Sequence, residues 1–324
     1  MYINADKVTM LHVEPTSKCN ASCPGCPRNN CGYGVKKSLI LQDLDPDIII
    51  AEANKLINLK VIHLCGNVGD AIAYKYLNKA VDKVVAQNEF FRIIKANKHW
   101  SLSIATNGSL RSTKWWEELG KKCNLNLFKS HRIQFGIDGV EDTNHIYRQA
   151  TNFNKIIDNA KAFIDADGVA EWQYLKFKHN EHQVDEARQL ANDIGFNRFF
   201  VQQPYITSAY HWKTGEEFYL EPAGNREFDR NRLQDEIHRS KERKEKTKNN
   251  YVKHSNCMHI DINGDGSYNY SSFLTVSGKI IPCCYFDNVG ILREDFDMAT
   301  LDIKNEFDSN KHRFTCRRIC GSIK

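Results

Sequence analysis

The sequence predicts an α/β fold built on a parallel sheet, followed by a smaller cysteine-bearing region. Three observations carry that expectation. From residue 9 to about residue 203, short β-branched or apolar runs alternate with longer segments of helical period. The stretch 224–256 is dense in charge, and nine of the eleven cysteines gather near the two ends of the chain. With 324 residues, 41% hydrophobic and 26% charged, the chain is long enough for one large core or a core plus an accessory domain. Disorder as the main state is excluded on that composition.

Six runs read as strands, at residues 9–14, 61–65, 101–106, 132–138, 171–177 and 198–203. Helical spacing fills the intervals at 47–59, 79–95, 112–122, 152–165 and 181–194. Ser112 and Asn180 stand where N-caps are expected for the third and fifth of these. Trp115, Trp116, Phe199 and Phe200 fall at spacings that suit the core. Six units are too few to close the usual eight-stranded barrel, so periodicity fits either an open doubly wound sheet or a partial barrel.

The formal charge is +5, from 45 basic and 40 acidic residues, too small to imply a nucleic-acid partner without a localised patch. Stretch 224–256 holds ten Lys or Arg against six Asp or Glu, interleaved and nearly without aromatics, which reads as a solvated helical connector. The expected organisation is a core over 1–215, a charged helical connector over 216–255 and a small domain over 256–324. No run of 18 apolar residues occurs, and the start carries Asp6 and Lys7 rather than a basic end before an apolar run. No membrane partner and a cytoplasmic location are therefore expected. Without an export signal, clustered cysteines read as metal ligands or redox groups before disulfides.

Cys19, Cys23 and Cys26 form a Cys-x3-Cys-x2-Cys run that follows the first predicted strand, where α/β folds place their active sites. Three thiolates at this spacing hold three irons of a four-iron cluster and leave the fourth iron for an outside ligand. A zinc knot through Cys23 and Cys26 would need a second pair, and Cys19 with Cys31 lacks the zinc-ribbon spacing. Cys65 and Cys123 read as small core residues and Cys31 as a loop thiol. The twelve histidines show no metal-ligand spacing.

At these cysteines the chain resembles the radical S-adenosylmethionine (SAM) enzymes, whose triad follows the first strand of a partial (β/α)6 barrel. The resemblance extends to Cys65-Gly66-Asn67-Val68-Gly69-Asp70-Ala71, where the family commonly has Gly-Gly-Glu-Pro beside the SAM ammonium group. It continues in Thr106-Asn107-Gly108-Ser109, and in the segment from Gln134 through Gly136, Asp138 and Gly139 to Arg148. SAM contacts are thereby implied at Gly66, Asn67, Gly69, Asp70, Thr106, Asn107 and Asp138, with adenine contact near Gln203. Gly136 stands where the family commonly has Ser, and Gly25 where many members carry an aromatic residue.

The end of the chain carries Cys257, then Gly278 to Cys283 and Cys284, then Cys316 and Cys320. It resembles the SPASM or shorter twitch extension of that superfamily, which implies an auxiliary [4Fe-4S] cluster on Cys257, Cys283, Cys316 and Cys320. Cys284 could exchange with Cys283, and structural zinc is the competing occupant. The whole fold implied is a TIM-like partial barrel with a small cysteine-rich C-terminal domain.

The resemblance implies reductive cleavage of SAM to a 5′-deoxyadenosyl radical, with an electron donor such as flavodoxin or ferredoxin. Substrate is left open between a peptide or protein side chain and a small metabolite. The first strand starts within ten residues of Met1, which leaves no room for a leader-gripping domain ahead of it. Candidate substrate contacts or acid–base groups at the barrel mouth are Asp138, Gln173, Lys176 and Gln203. The competing reading from another class is a non-catalytic adaptor binding zinc or an iron–sulfur cluster; an RNA-binding protein using the basic connector is a third.

Overall fold

A computed structural model describes residues 8–74, 100–123, 130–204, 208–223, 260–262, 268–278 and 280–281. The core runs in βα order: β1 (Val8–Val13), α1 (Pro46–Asn54), β2 (Val61–Leu64), β3 (Ser101–Thr106), α2 (Thr113–Cys123) and β4 (His131–Gly136). There follow the single turn α3 (Asn144–Tyr147), α4 (Phe153–Asp165), β5 (Ala170–Leu175), α5 (Val184–Ile194) and β6 (Arg198–Gln202). A two-stranded hairpin, β7 (Ser208–Tyr210) with β8 (Glu217–Tyr219), stands beside them. The later strands are β9 (Ile260–Ile262), β10 (Tyr268–Leu274) and β11 (Ile280–Ile281).

Strand order decides between the two architectures that periodicity allowed. The main sheet reads β11-β10-β1-β2-β3-β4-β5-β6, with β10 and β1 to β6 mutually parallel. A doubly wound sheet reverses its order at a switch point, which sends helices to both faces. Here β1 to β6 follow in sequence without reversal, so right-handed crossovers lay α1, α2, α4 and α5 on one face and the sheet curls as a partial barrel. Residues 268–274, which the sequence assigns to the C-terminal domain, supply a strand of this same sheet beside β1.

Alternation along each strand separates the two faces. Leu11, Ile62, Ile104, Phe135, Trp172 and their neighbours join Ile49, Trp116, Leu119, Ile156, Phe163 and Ala187 from the helices in one core. Trp116 meets Phe135 at 5.1 Å and Phe163 at 6.0 Å between ring centroids, as the sequence spacing suggests. The opposite, concave face is polar. His12 and His63 meet edge to face at 5.1 Å, the Arg132 Nε donates to Ser103 Oγ at 3.2 Å, and Arg132 Nη1 lies 3.7 Å from Glu171. Gln134 donates to Gln173, which donates to Gln202 at 2.5 Å.

Several boundaries differ from the sequence expectation. Helix α1 ends at Asn54, not residue 59, because the chain tightens into turns with Leu56 N–H donating to Ala53 O and Leu59 N–H to Leu56 O. Those turns still bury Leu56 and Leu59, which is why the apolar period continued. Strands β4 and β5 stop two residues short of 138 and 177, where the chain leaves the sheet to form site loops. Ser112 caps as expected, its Oγ accepting from Trp115 N–H at 3.3 Å. Asn180 does not cap: its Oδ1 accepts from Phe177 N–H and its Nδ2 donates to the carbonyls of Asp138 and Leu175, so the side chain ties two loops instead. The segment 79–95 and residues 224–255 of the expected helical connector lie outside the described residues, while its described start is not helical, since Glu217–Tyr219 is strand β8, paired with β7.

Candidate functional site

Every residue of the candidate site lies at or beyond the carboxyl end of a parallel strand, where the loops of a βα sheet converge. Strand β1 passes into Glu14, which is buried. Its Oε1 accepts from Val68 N–H at 2.6 Å and Gly69 N–H at 3.1 Å, joining the loop after β2 to the start of the cysteine loop. A second clamp is Arg28, also buried, whose guanidinium donates to the carbonyls of Ser17, Val68 and Cys19. Ser17 Oγ donates to Ile40 O at 2.7 Å, and the Asn29 amide donates to Cys23 O at 3.2 Å. The loop carrying Cys19, Cys23 and Cys26 is therefore held by Arg28 and Asn29, which bond its own backbone, and tied at its start by Glu14 to Val68 and Gly69 and by Ser17 to Ile40.

Each thiol meets a different strand-end loop. Asn107, after β3, donates from Nδ2 to Cys19 Sγ at 3.6 Å. The Cys26 thiol donates to Asn67 O, after β2, at 3.5 Å. Arg148, in the loop that follows α3, places Nη1 3.9 Å from Cys23 Sγ. Burial pushes all three thiols upward, Cys26 to about 12, with Cys23 and Cys26 adding to the rise at Cys19 and Cys23 to that at Cys26. Thiols so placed stay protonated until a positive centre binds them.

Cys19, Cys23 and Cys26 form a thiol donor set in which each sulfur meets a different strand-end loop. Among the described residues, no three His, Cys, Asp or Glu side chains converge where a single metal ion could be held. A tetrahedral zinc site needs its thiolates gathered on one centre, whereas a four-iron cluster takes each thiolate on a separate iron. Cys23 is buried and Cys19 and Cys26 are half-buried, and three such thiols are donors of the kind that a four-iron cluster takes on three of its irons.

Asp70 and Thr106 are internal stitches. The Asp70 carboxylate, fully enclosed, accepts from Ile72 N–H at 2.9 Å, Thr106 Oγ1 at 2.9 Å and Asn107 N–H at 2.7 Å. Burial raises its pKa and those hydrogen bonds oppose the rise. Asn107 also donates to Asn20 Oδ1 at 3.0 Å, and Asn20 donates to Ser109 Oγ at 2.7 Å, so the loop after β3 leans on the cysteine loop. At Gly69, a Cβ would run into the Thr16 carbonyl, with Thr16 C at 2.7 Å. The close approach that the sequence assigns to a ligand is here made to the chain itself; Gly66 likewise faces the Gly69 carbonyl.

Asp138 is wholly buried and fully engaged: Oδ1 accepts from Leu175 N–H at 2.7 Å and Oδ2 from Arg148 Nε at 2.5 Å. Burial raises its pKa and Arg148 opposes that. Gln173 lies on the concave face and Lys176 just beyond β5, with its N–H donating to Gln202 O at 2.9 Å. Gln203 is exposed after β6 and takes no part in the network around the cysteines. Cys257, Cys283, Cys316 and Cys320 lie outside the described residues.

Sequence reasoning passed over three residues of this site. Glu14 and Arg28 look like ordinary charged loop residues, although a carboxylate directly before Pro15 at a strand end, ahead of a cysteine loop, was a usable signal. Arg148 was noted without a role, since ten residues of sequence separate it from the Asp138 that orients it.

No family model matches the chain, and no curated protein does. Solved structures share its fold. Streptococcus suis SuiB bound to S-adenosylmethionine matches with a TM-score of 0.56 at 13% identity, over 95% of this chain and 67% of that one. SuiB bound to the precursor peptide SuiA matches at 0.55 and 13%, over 95% and 66%. Native anSMEcpe with bound AdoMet and the Kp18Cys peptide matches at 0.56 and 11%, over 96% and 88%. The chain thus spans about two thirds of the length of SuiB. Identity at this level establishes the mixed α/β fold, a seven-stranded parallel sheet curled as a partial barrel, and nothing finer. Among the described residues no helix is long and apolar enough to cross a membrane.

Proposed function

We propose that the chain is a radical SAM enzyme in which Cys19, Cys23 and Cys26 hold a [4Fe-4S] cluster whose fourth iron takes SAM. One observation carries this reading: the loops after β1, β2 and β3 interlock around three thiols, Cys23 buried and Cys19 and Cys26 half-buried, at the open end of the sheet. A structural zinc adaptor would not need that convergence of strand ends. When bound, cluster and SAM supply a 5′-deoxyadenosyl radical that removes a hydrogen atom from substrate.

The chain's own contribution is placement and shielding. Glu14 and Arg28 fix the loop backbone, so the thiols are presented without rearrangement. Asp70 holds the loops after β2 and β3 together, which leaves Gly66, Asn67 and Gly69 carbonyls and the Thr106–Asn107 edge beside the triad for the amino and sulfonium groups of SAM. Asp138 acts through Arg148 rather than as a ribose acceptor, since it is buried at 0% exposure with its oxygens turned to Arg148 Nε and Leu175 N–H. Gln173, Lys176 and Gln203 are the proposed substrate contacts along the concave face and its rim. SuiB with SuiA and anSMEcpe with Kp18Cys support a peptide substrate over a small metabolite. An auxiliary [4Fe-4S] cluster on Cys257, Cys283, Cys316 and Cys320, and a flavodoxin- or ferredoxin-type donor, complete the reading.

The test is anaerobic purification with iron and sulfide counts, then dithionite reduction with SAM and detection of 5′-deoxyadenosine. About eight irons per chain are expected, with Cys23→Ala losing about half of them and all deoxyadenosine. Zinc in place of iron, or deoxyadenosine unchanged in Cys23→Ala, would sink the reading.

A further inference from the structure

Arg148 stands out because the chain is built around it at three separate places. Its Nε donates to Asp138 Oδ2 at 2.5 Å, with Asp138 buried at 0% exposure and its other oxygen held by Leu175 N–H. Its Nη1 faces Cys23 Sγ at 3.9 Å. Its Nη2 occupies the space over Gly136, where a Cβ would come within 2.5 Å of it. Tyr147 closes the remaining side, its ring 5.4 Å from the guanidinium carbon. The glycine that replaces the serine expected by resemblance is thus the room in which this guanidinium sits.

The other two thiols have no such neighbour. Cys19 is faced by the neutral Asn107 amide and the Ala21 N–H, and Cys26 by the Asn67 carbonyl. Nearby full charges are Asp70 for Cys19, and Glu14 and Arg28 for Cys26, each of them spent on backbone bonds. At Cys23 alone a side-chain cation bonds toward the sulfur, with its counter-anion on the far nitrogen.

We propose that Arg148 is a positioning residue that raises the reduction potential of the cluster by holding its charge against the Cys23 thiolate. The inference rests on the cluster reading above. Reduction adds one electron from an external donor and breaks no bond, so the cluster gains one negative charge. A fixed cation in a water-poor site stabilises that state more than the oxidised one. Asp138 orients Arg148 and partly cancels it, which predicts opposite consequences for removing the two partners. Arg148→Gln lowers the potential because the near cation is gone. Asp138→Asn raises it because the cation keeps its place by Cys23 and loses its counter-charge. Arg148→Lys keeps the charge and falls between wild type and Arg148→Gln.

The test is a dithionite-poised redox titration of the purified holoprotein, following the reduced cluster by electron paramagnetic resonance in the Cys316→Ala background to isolate one signal. Iron content is measured first on every variant. Shifts of opposite sign for Arg148→Gln and Asp138→Asn at equal iron support the proposal. Potentials that stay at the wild-type value, or move the same way in both, overturn it. If Arg148→Gln fails to load iron, Gly136→Ala, which crowds Nη2, gives the deciding potential: a fall supports the proposal and no change overturns it. Absence of a cluster in the wild type would instead defeat the functional reading, so the two failures are distinct.

Discussion

Gly69→Ala tests whether the site is held together by backbone contact between the loops after β1 and β2. The added Cβ would meet the Thr16 carbonyl, with Thr16 C at 2.7 Å and Ser17 Cα at 3.1 Å, all backbone and unable to rotate away. Overpacking of this kind costs about 1–3 kcal/mol by itself. Lifting the loop also weakens Gly69 N–H to Glu14 at 3.1 Å and Asp70 N–H to Lys18 O at 2.8 Å, together about 2–3 kcal/mol since one acceptor is a carboxylate. A loss of about 4 kcal/mol is expected, close to the whole stability of a marginal domain. The control is Gly34→Ala: nothing lies within 4 Å of its Cβ, and only its φ of +72° is unfavourable, costing about 1–2 kcal/mol. Urea unfolding of both variants, followed by tryptophan fluorescence, compares them directly. If Gly69→Ala is no less stable than Gly34→Ala, the loop contact is not what the glycine serves, and ligand approach becomes the better reason for it.

Acid should weaken the fold through His63, whose pKa falls to about 4 because burial and then the Arg132 charge disfavour its protonated form. Above the ordinary value of 6.5 both folded and unfolded states are neutral and the contribution is complete. Between pH 6.5 and 4 only the unfolded state takes the proton, so stability drops by up to about 3 kcal/mol; His63→Gln should flatten that slope in denaturation series, and an unchanged slope contradicts it. His179, lowered to about 4 mainly by burial, keeps part of the slope in that variant. Asn180→Ala should cost about 2–3 kcal/mol by stranding Phe177 N–H and two carbonyls in the interior, read from the thermal midpoint; a change below about 0.5 kcal/mol would refute the stitch. Asp70→Asn should leave the thiols present but loosen the loops after β2 and β3, lowering iron loading severalfold relative to wild type, whereas full loading would show that Thr106 and Asn107 hold their places without the carboxylate.

Much of the fold was legible because it depends on local period. All six core strands fall within two residues of their expected bounds, and the helices at 112–122 and 152–165 within one. The exceptions are informative. Apolar spacing at Leu56 and Leu59 continues through turns because burial needs a side facing the core, not a helix. Asn180 carries the right letter for a cap, yet its amide finds three buried partners that outcompete a helix end. For the candidate site, the cysteine spacing and the Thr106–Asn107 and Asp138 segments were readable as candidates, and the structure brings them to neighbouring strand ends. Their partners Glu14, Arg28 and Arg148 were not, since a charged residue in a loop shows its burial only once distant strands close over it.

The sequence by itself determined the βα alternation, the core faces of strands and helices, and the placing of three cysteines just past the first strand. These follow from side-chain period and chain reach, which are properties of neighbours along the chain. Only the tertiary structure decided that the strands keep sequential order and curl to a partial barrel, that residues 268–274 join the sheet, and that Arg148 lies against Cys23 through the space left by Gly136. Those are contacts between segments tens to hundreds of residues apart, selected by packing and charge pairing in an interior that no stretch of sequence contains alone.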